Sequence, residues 1–189
     1  MTSNQNNFKN PTWVSAKTFL IVSIIIVGIF ISYMIYFMYF KTKPVPENQA
    51  AIVNAAVQTQ LVTGAGEHVL TPSVELNGKP LPRSSGPHSP EYFPWGTFSE
   101  VPIDEDKAVH NLEHGGIVIY FKLDLPQAQK QELERLAKSG SFVIAAKENL
   151  AKPVVALSWG HSFELDKVDY ELLRVFYESW KNQSPEKLA

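Results

Sequence analysis

The sequence predicts an α+β domain behind one N-terminal transmembrane helix, with a small sheet packed with helices and a long Pro-rich loop. Three observations predict it. An uncharged apolar run extends from Thr18 to Phe40, and six prolines fall between Lys79 and Pro102. Beyond them, hydrophobic periodicity reads in the order strand, helix, strand, strand, helix.

The apolar run TFLIVSIIIVGIFISYMIYFMYF is long enough, at about 1.5 Å per residue, to cross a hydrocarbon core of about 30 Å. Tyr33, Tyr36, Tyr39 and Phe40 gather at its far end, as an interfacial aromatic belt does, where a cleaved signal peptide would carry small residues. Lys9 and Lys17 on one side balance Lys41 and Lys43 on the other, so charge alone leaves orientation undecided. A short N-terminal tail without acidic residues, followed by one anchor and one long domain, predicts a single-pass cell-membrane protein whose C-terminal domain is extracytoplasmic.

The expected organisation is a disordered tail over residues 1–17, a transmembrane helix over 18–40, a linker or short helix over 41–62 and a soluble domain over 63–189. The tail is polar and Asn-rich up to Asn10, with little to bury. In Glu47 to Leu61, Val53, Val57 and Leu61 recur every four residues in an Ala- and Gln-rich context, which predicts a short helix that turns extended before Gly64. Pro80, Pro82, Pro87, Pro90, Pro94 and Pro102 forbid a regular helix and a central strand, while Tyr92, Phe93, Trp95 and Phe98 predict that this loop packs onto the core.

Next, Asp104 to His114 predicts a helix opened by acidic residues and stopped by Gly115, and Ile117 to Lys122 predicts a strand. Asp124 is the expected N-cap of a second helix with Pro126 in its first turn, Leu133, Leu136 and Ala137 on its apolar face, and Gly140 at its end. Phe142 to Ala146 and Val154 to Trp159 are expected strands that can pair as a hairpin. Asp166 is the expected cap of a final helix with Val168, Leu172, Val175, Phe176 and Trp180 in one stripe. The sheet is expected to carry its helices on one side.

The chain has no cysteine, which excludes disulfides and thiolate metal sites. Beyond Pro44 it holds 13 Lys and Arg against 19 Asp and Glu, so the domain is acidic and offers no footprint for nucleic acid.

All five histidines lie in the domain, and two stand in His110-Asn111-Leu112-Glu113-His114, followed by Gly115 and Gly116. In a helix, positions four apart share a face, so His110 and His114 can point at one ion. The string also fits H-x-x-E-H, in which two His hold zinc and the Glu activates water, although that chemistry needs a longer helix and a third ligand on another. The bland alternative is equally open: both histidines can sit at a helix C-terminus to suit its dipole and carbonyls.

The strings Gly66-Glu67-His68-Val69, Ser85-Gly86-Pro87-His88, Val109-His110-Asn111-Leu112-Glu113-His114-Gly115 and Ser158-Trp159-Gly160 resemble, in that order, the domain of unknown function 3105, over about Thr63 to Gly160. Members of that family resemble this chain in often carrying an N-terminal anchor. The resemblance implies that His68, His88, His110, Glu113 and His114 occupy motif positions, where a shared site would be sought, with His161 beyond the match. One departure is Pro82-Arg83-Ser84 where the family reads Pro-Pro-Thr, which adds a positive charge near any site.

If those residues converge, imidazole plus carboxylate suits a zinc or cupric copper ion. A thiolate or thioether site for Cu(I) has no donors in the domain, since Met34 and Met38 lie in the apolar helix and Met1 at the terminus. His88, His110 and His114 are then the first-choice ligands, His68 the fourth, and Glu113 a ligand or the group that orients an imidazole. The expectation is a membrane-tethered divalent-metal binder. A non-catalytic interaction or assembly module, with a protein partner at the membrane surface, and a small metal-dependent hydrolase remain as alternatives.

Overall fold

The computed structural model describes residues 16–41, 47–60, 66–68 and 81–188. The expected tail, save its last two positions, lies outside the described residues, as do 61–65 and 69–80. Two compact units are present, Met1–Pro44 and Val45–Ala189.

The first unit holds α1, Ala16–Lys41, an apolar helix of 26 residues. No part of its segment Thr18–Ile35 is buried. Phe19, Ile24, Ile29 and Phe30 are each more than 60% exposed, so the helix is apolar all round, without a polar face to turn to water.

The second unit is a mixed six-stranded sheet with helices on both faces. It comprises α2 (Glu47–Ala56), β1 (Gln58–Thr59), β2 (Thr97–Ser99), α3 (Glu105–Glu113), β3 (Ile117–Phe121), α4 (Gln127–Ala137), β4 (Phe142–Ala146), β5 (Val154–Ser158), β6 (His161–Leu165) and α5 (Tyr170–Trp180). The strand order is β1-β6-β5-β3-β4-β2. β4 runs parallel to β3, which demands a crossover, and α4 supplies it. β5 lies antiparallel on the other side of β3. The expected β4–β5 hairpin is therefore corrected: the hairpin is β5–β6, turned at Trp159-Gly160, and β6 escaped the sequence reading because His161, Ser162 and Glu164 break its apolar pattern.

The helices do not keep to one side, which corrects the second expectation. Ile117, Ile119, Phe121, Phe142 and Ile144 pack with Val53 of α2, Leu133 and Leu136 of α4 and Phe176 of α5. Val118, Tyr120, Val143, Val155 and Leu157 pack on the opposite face under Ala108, Val109 and Leu112 of α3, with Leu81, Phe93 and Ile103 of the loop beside them. All residues of β3, β4 and β5 are buried as a result. At about 1.5–3 kcal/mol for each large apolar side chain taken from water, this double-sided core carries the fold without cross-links.

Three helix starts illustrate local chemistry. Asp104, expected as the first residue of α3, is its cap, accepting from the amides of Asp106 and Lys107. For α4 the expected cap Asp124 is displaced by Pro126, whose carbonyl takes the amides of Gln129 and Lys130 and whose ring has no N–H to satisfy. For α5 the cap is Asp169, bonded to Leu172 N at 3.1 Å, while Asp166 instead pairs with Lys152 at 2.7 Å.

A candidate metal centre

The short helix α3 turns Ala108, Val109 and Leu112 to the sheet, which leaves His110, Glu113 and His114 together on another face. Two devices hold it against the loop. Arg83 pairs with Asp106 in the first turn and donates to the Pro87 carbonyl at 3.1 Å, and its amide donates to Glu105 Oε1 at 2.8 Å. The added guanidinium charge is thus matched by a buried carboxylate. One turn later, Asn111 bonds the backbone of Phe93. The loop is thereby fixed at both ends of the segment that carries His88.

His68 and His88 meet through an isolated parallel bridge, with the His88 amide donating to the Glu67 carbonyl at 3.1 Å. Their rings lie 5.0 Å apart. Donor atoms of His68, His88 and His110 all fall within 4.8 Å of one another, from three separate strings of the sequence. Glu113 joins them: its Oε2 is 3.1 Å from His88 Nε2 and 3.3 Å from His68 Nε2, and its Oε1 accepts the Gly66 amide. His88 and Glu113 are fully buried, and His110 is 4% exposed.

His114 stands one place outward. Its ring lies nearly parallel to that of His110 with centroids 4.7 Å apart, and the His68 ring is likewise nearly parallel to His110 at 4.8 Å, both at 8° between planes. Its Nε2 is 2.8 Å from His110 Nε2 and its Nδ1 is 3.0 Å from Glu186 Oε2. Of the three first-choice histidines, His88 and His110 lie in the inner group, His68 takes the third position there, and His114 flanks it. His161 lies apart, bonded to the Trp159 carbonyl at 2.8 Å and set against Trp180 at 4.2 Å.

The protonation of these rings follows from their backbone partners. His88 Nδ1 lies 2.8 Å from the Gly86 carbonyl and His110 Nδ1 lies 2.8 Å from the Ser89 carbonyl. A carbonyl only accepts, so each Nδ1 carries the proton, and in the neutral ring each Nε2 is a bare lone pair. Gly86, at φ +108°, makes the turn that aims its carbonyl at the ring, a conformation closed to side-chain-bearing residues. In their neutral form His88 and His110 thus each offer a lone pair within the cluster that Glu113 joins.

Electrostatics keep that cluster electron-rich. Burial lowers the pKa of His110, opposed by its Ser89 bond and reinforced by the neighbouring His114, His88 and His68. Burial works to raise the pKa of Glu113, but the Gly66 amide, followed by the neighbouring His88 and His68, outweighs it, and the net direction is down. An anionic Glu113 and a neutral His110 result near neutrality. Such a cluster of acceptors is compatible with a cation between them: bonds of about 2.0–2.1 Å to a tetrahedral zinc ion set its ligand atoms about 3.3 Å apart. The two His–Glu113 separations, 3.1 and 3.3 Å, match that edge.

Several contributors escaped the sequence reading. The carbonyls of Gly86 and Ser89 and the amide of Gly66 carry no side-chain signal, though a glycine two residues before His88 was a visible mark of an unusual turn. Glu186 has no local motif around it. Tyr92 and Trp95, expected in the core, are 56% and 37% exposed, whereas Phe93 and Phe98 are half-buried.

Residues 71–189 match a family model described as a protein of unknown function (DUF3105). The match begins just after His68 and takes in His161 and Glu186, so it reaches further toward the C-terminus than the motif strings. No curated protein and no solved structure matches the chain.

Proposed function

We propose, for a chain that belongs to the DUF3105 family of proteins of unknown function, that it binds a divalent metal ion, zinc or cupric copper, in a membrane-tethered domain. His68, His88 and His110 supply three imidazole nitrogens and Glu113 a carboxylate oxygen. The observation that carries the reading is the pair of backbone carbonyls on Nδ1 of His88 and His110, which present both Nε2 atoms as lone pairs beside an anionic carboxylate. Metal-ligating histidines are oriented in this way by acceptors on the other ring nitrogen.

The donor set favours binding over hydrolysis. Glu113 Oε1 is held by the Gly66 amide and Oε2 stands 3.1 and 3.3 Å from Nε2 of His88 and His68, so the carboxylate is placed among the ligand atoms rather than beside an open position for an attacking water. Zinc and cupric copper are the ions suited to imidazole and carboxylate without thiolate.

The tether is α1. A helix of 26 residues is about 39 Å long at 1.5 Å per residue, and its apolar side chains are exposed on every side, which suits lipid and not water. In the same proposal the domain after Pro44 lies on the extracytoplasmic side of the cell membrane.

The test is a titration of the full chain in detergent with Zn²⁺ and with Cu²⁺, following the melting temperature. An ion that binds only the folded domain raises it progressively. No rise with either ion removes the reading. Resistance of the chain to alkaline carbonate extraction from membranes tests the tether separately.

A further inference from the structure

We propose that His114 and Glu186 form, with His110, an outer ion-binding position, and that a divalent ion occupies either this position or the inner one but not both. The inference rests on the metal reading above and goes on to how the ion enters and leaves.

Glu186 comes from the segment after α5, which folds back over the end of α3. The amide of Asn182 donates to the Gly115 carbonyl at 2.9 Å and that of Glu186 to the Glu113 carbonyl at 3.1 Å. The Leu188 amide reaches Asn182 Oδ1 at 2.8 Å, and Lys187 bonds the Asn182 carbonyl. These backbone bonds set Glu186 Oε2 3.0 Å from His114 Nδ1. An ionised carboxylate only accepts, so that nitrogen carries the proton, and in the neutral ring His114 Nε2 is a lone pair. This is the carboxylate–histidine arrangement that prepares an imidazole for a metal.

His114 Nε2 then faces His110 Nε2 at 2.8 Å, and the Ser89 carbonyl has already fixed the latter as a lone pair. With both rings neutral, two lone pairs at this distance repel, and a proton or a metal cation between them removes the repulsion. His110 therefore belongs to two donor groups at once: inward with His68, His88 and Glu113, outward with His114. An imidazole nitrogen has one lone pair and ligates one ion, so the two positions exclude each other.

Exposure gives the pair a direction. His88 and Glu113 are buried, while the side chains of His114 and Glu186 are 36% and 50% exposed. A cleft of about 190 Å³ bounded by Tyr92, Trp95, His114, Lys187 and Leu188 opens on the outer ring. An ion arriving from solvent meets His114 first and reaches the buried donors by exchange at His110.

The experiment uses the full chain in detergent, with Zn²⁺ as the probe. Bound zinc is counted at saturation, and uptake and release are timed by stopped flow against a fluorescent chelator, in the unaltered chain and in Glu186→Gln, Glu186→Asp and His114→Gln. The expected result is one ion per chain, with exchange slowed about tenfold in Glu186→Gln and His114→Gln and restored in Glu186→Asp. Unfolding curves superimposable on that of the unaltered chain exclude a folding defect, which is expected because the segment after α5 is held by backbone bonds. Two ions per chain, or exchange rates unchanged in Glu186→Gln and His114→Gln, overturn this proposal while the inner site stands. Absence of zinc and copper binding in the unaltered chain overturns both.

Discussion

The side chain of Asn111 is bonded twice to the backbone of Phe93: Oδ1 accepts the amide and Nδ2 donates to the carbonyl, each at 2.9 Å. One fully buried amide thus substitutes for a strand neighbour and binds the loop to α3 between the two histidines of the motif. Asn111→Ala strips both groups of their partner, and removing a partner from buried polar groups costs about 1–3 kcal/mol each. Urea unfolding is expected to show a loss of about 2–4 kcal/mol; a loss below about 0.5 kcal/mol contradicts the role given to this pair.

Gly116 lies directly beneath the indole of Trp95. A Cβ at this position would run into the ring and would stand 3.0 Å from the Ser141 carbonyl. Gly116→Ala is expected to destabilise by about 1–3 kcal/mol, the usual cost of overpacking, and to shift the tryptophan emission as Trp95 is pushed from its seat. Gly115 is constrained differently, by its φ of +82°.

Among the inner donors, His68 is the one whose loss leaves the core alone, its side chain being 38% exposed where that of His88 is buried. With zinc at 100 times the dissociation constant the unaltered domain gains about 2.7 kcal/mol, and a tenfold weaker site gains about 1.4 kcal/mol. His68→Gln is expected to fold normally and to show the smaller gain; an undiminished gain excludes His68 as a ligand. His88→Gln is expected to abolish the gain and, by disturbing the buried bond to the Gly86 carbonyl, to lower stability without metal as well.

Tyr120 sits on β3 with 2% of its surface exposed. Burial, followed by the nearby charge of Glu105 and opposed by Arg83, holds its phenol pKa well above the ordinary value. The unfolded chain releases this proton near pH 10 while the folded one retains it, so stability is complete below pH 10 and falls as pH rises beyond it. One proton corresponds to about 1.4 kcal/mol per pH unit. Tyr120→Phe is expected to reduce the alkaline slope of stability by that amount, and an unchanged slope excludes a buried neutral phenol.

The fold was legible where one interaction dominated. Ile117 to Phe121 and Phe142 to Ala146 are apolar on both faces, so burial alone identifies them, and the acidic residues from Asp104 onward announce the start of α3. The pairing of strands was not legible, because β3 accepts a partner on either edge and only the crossover of α4 decides which lies where. For α5 two aspartates compete, and Lys152, fourteen residues before Asp166, draws Asp166 away and leaves the cap to Asp169. At the site the ligand-type residues were visible as types: the five named positions adjoin one another. Their ranking was not visible, since it depends on the carbonyls of Gly86 and Ser89 and on Glu186, more than seventy residues beyond His114.

The inner donors come from residues 68, 88, 110 and 113, with no two of the first three closer than twenty positions in the chain. If the proposed ion is bound there, an extended polypeptide offers it at most the local His110–His114 string, and the full set of donors exists only once the sheet has closed. A chain that is threaded across a bilayer before it folds would arrive bare, and the compartment in which folding finishes, rather than the one in which synthesis began, would decide which cation it acquires.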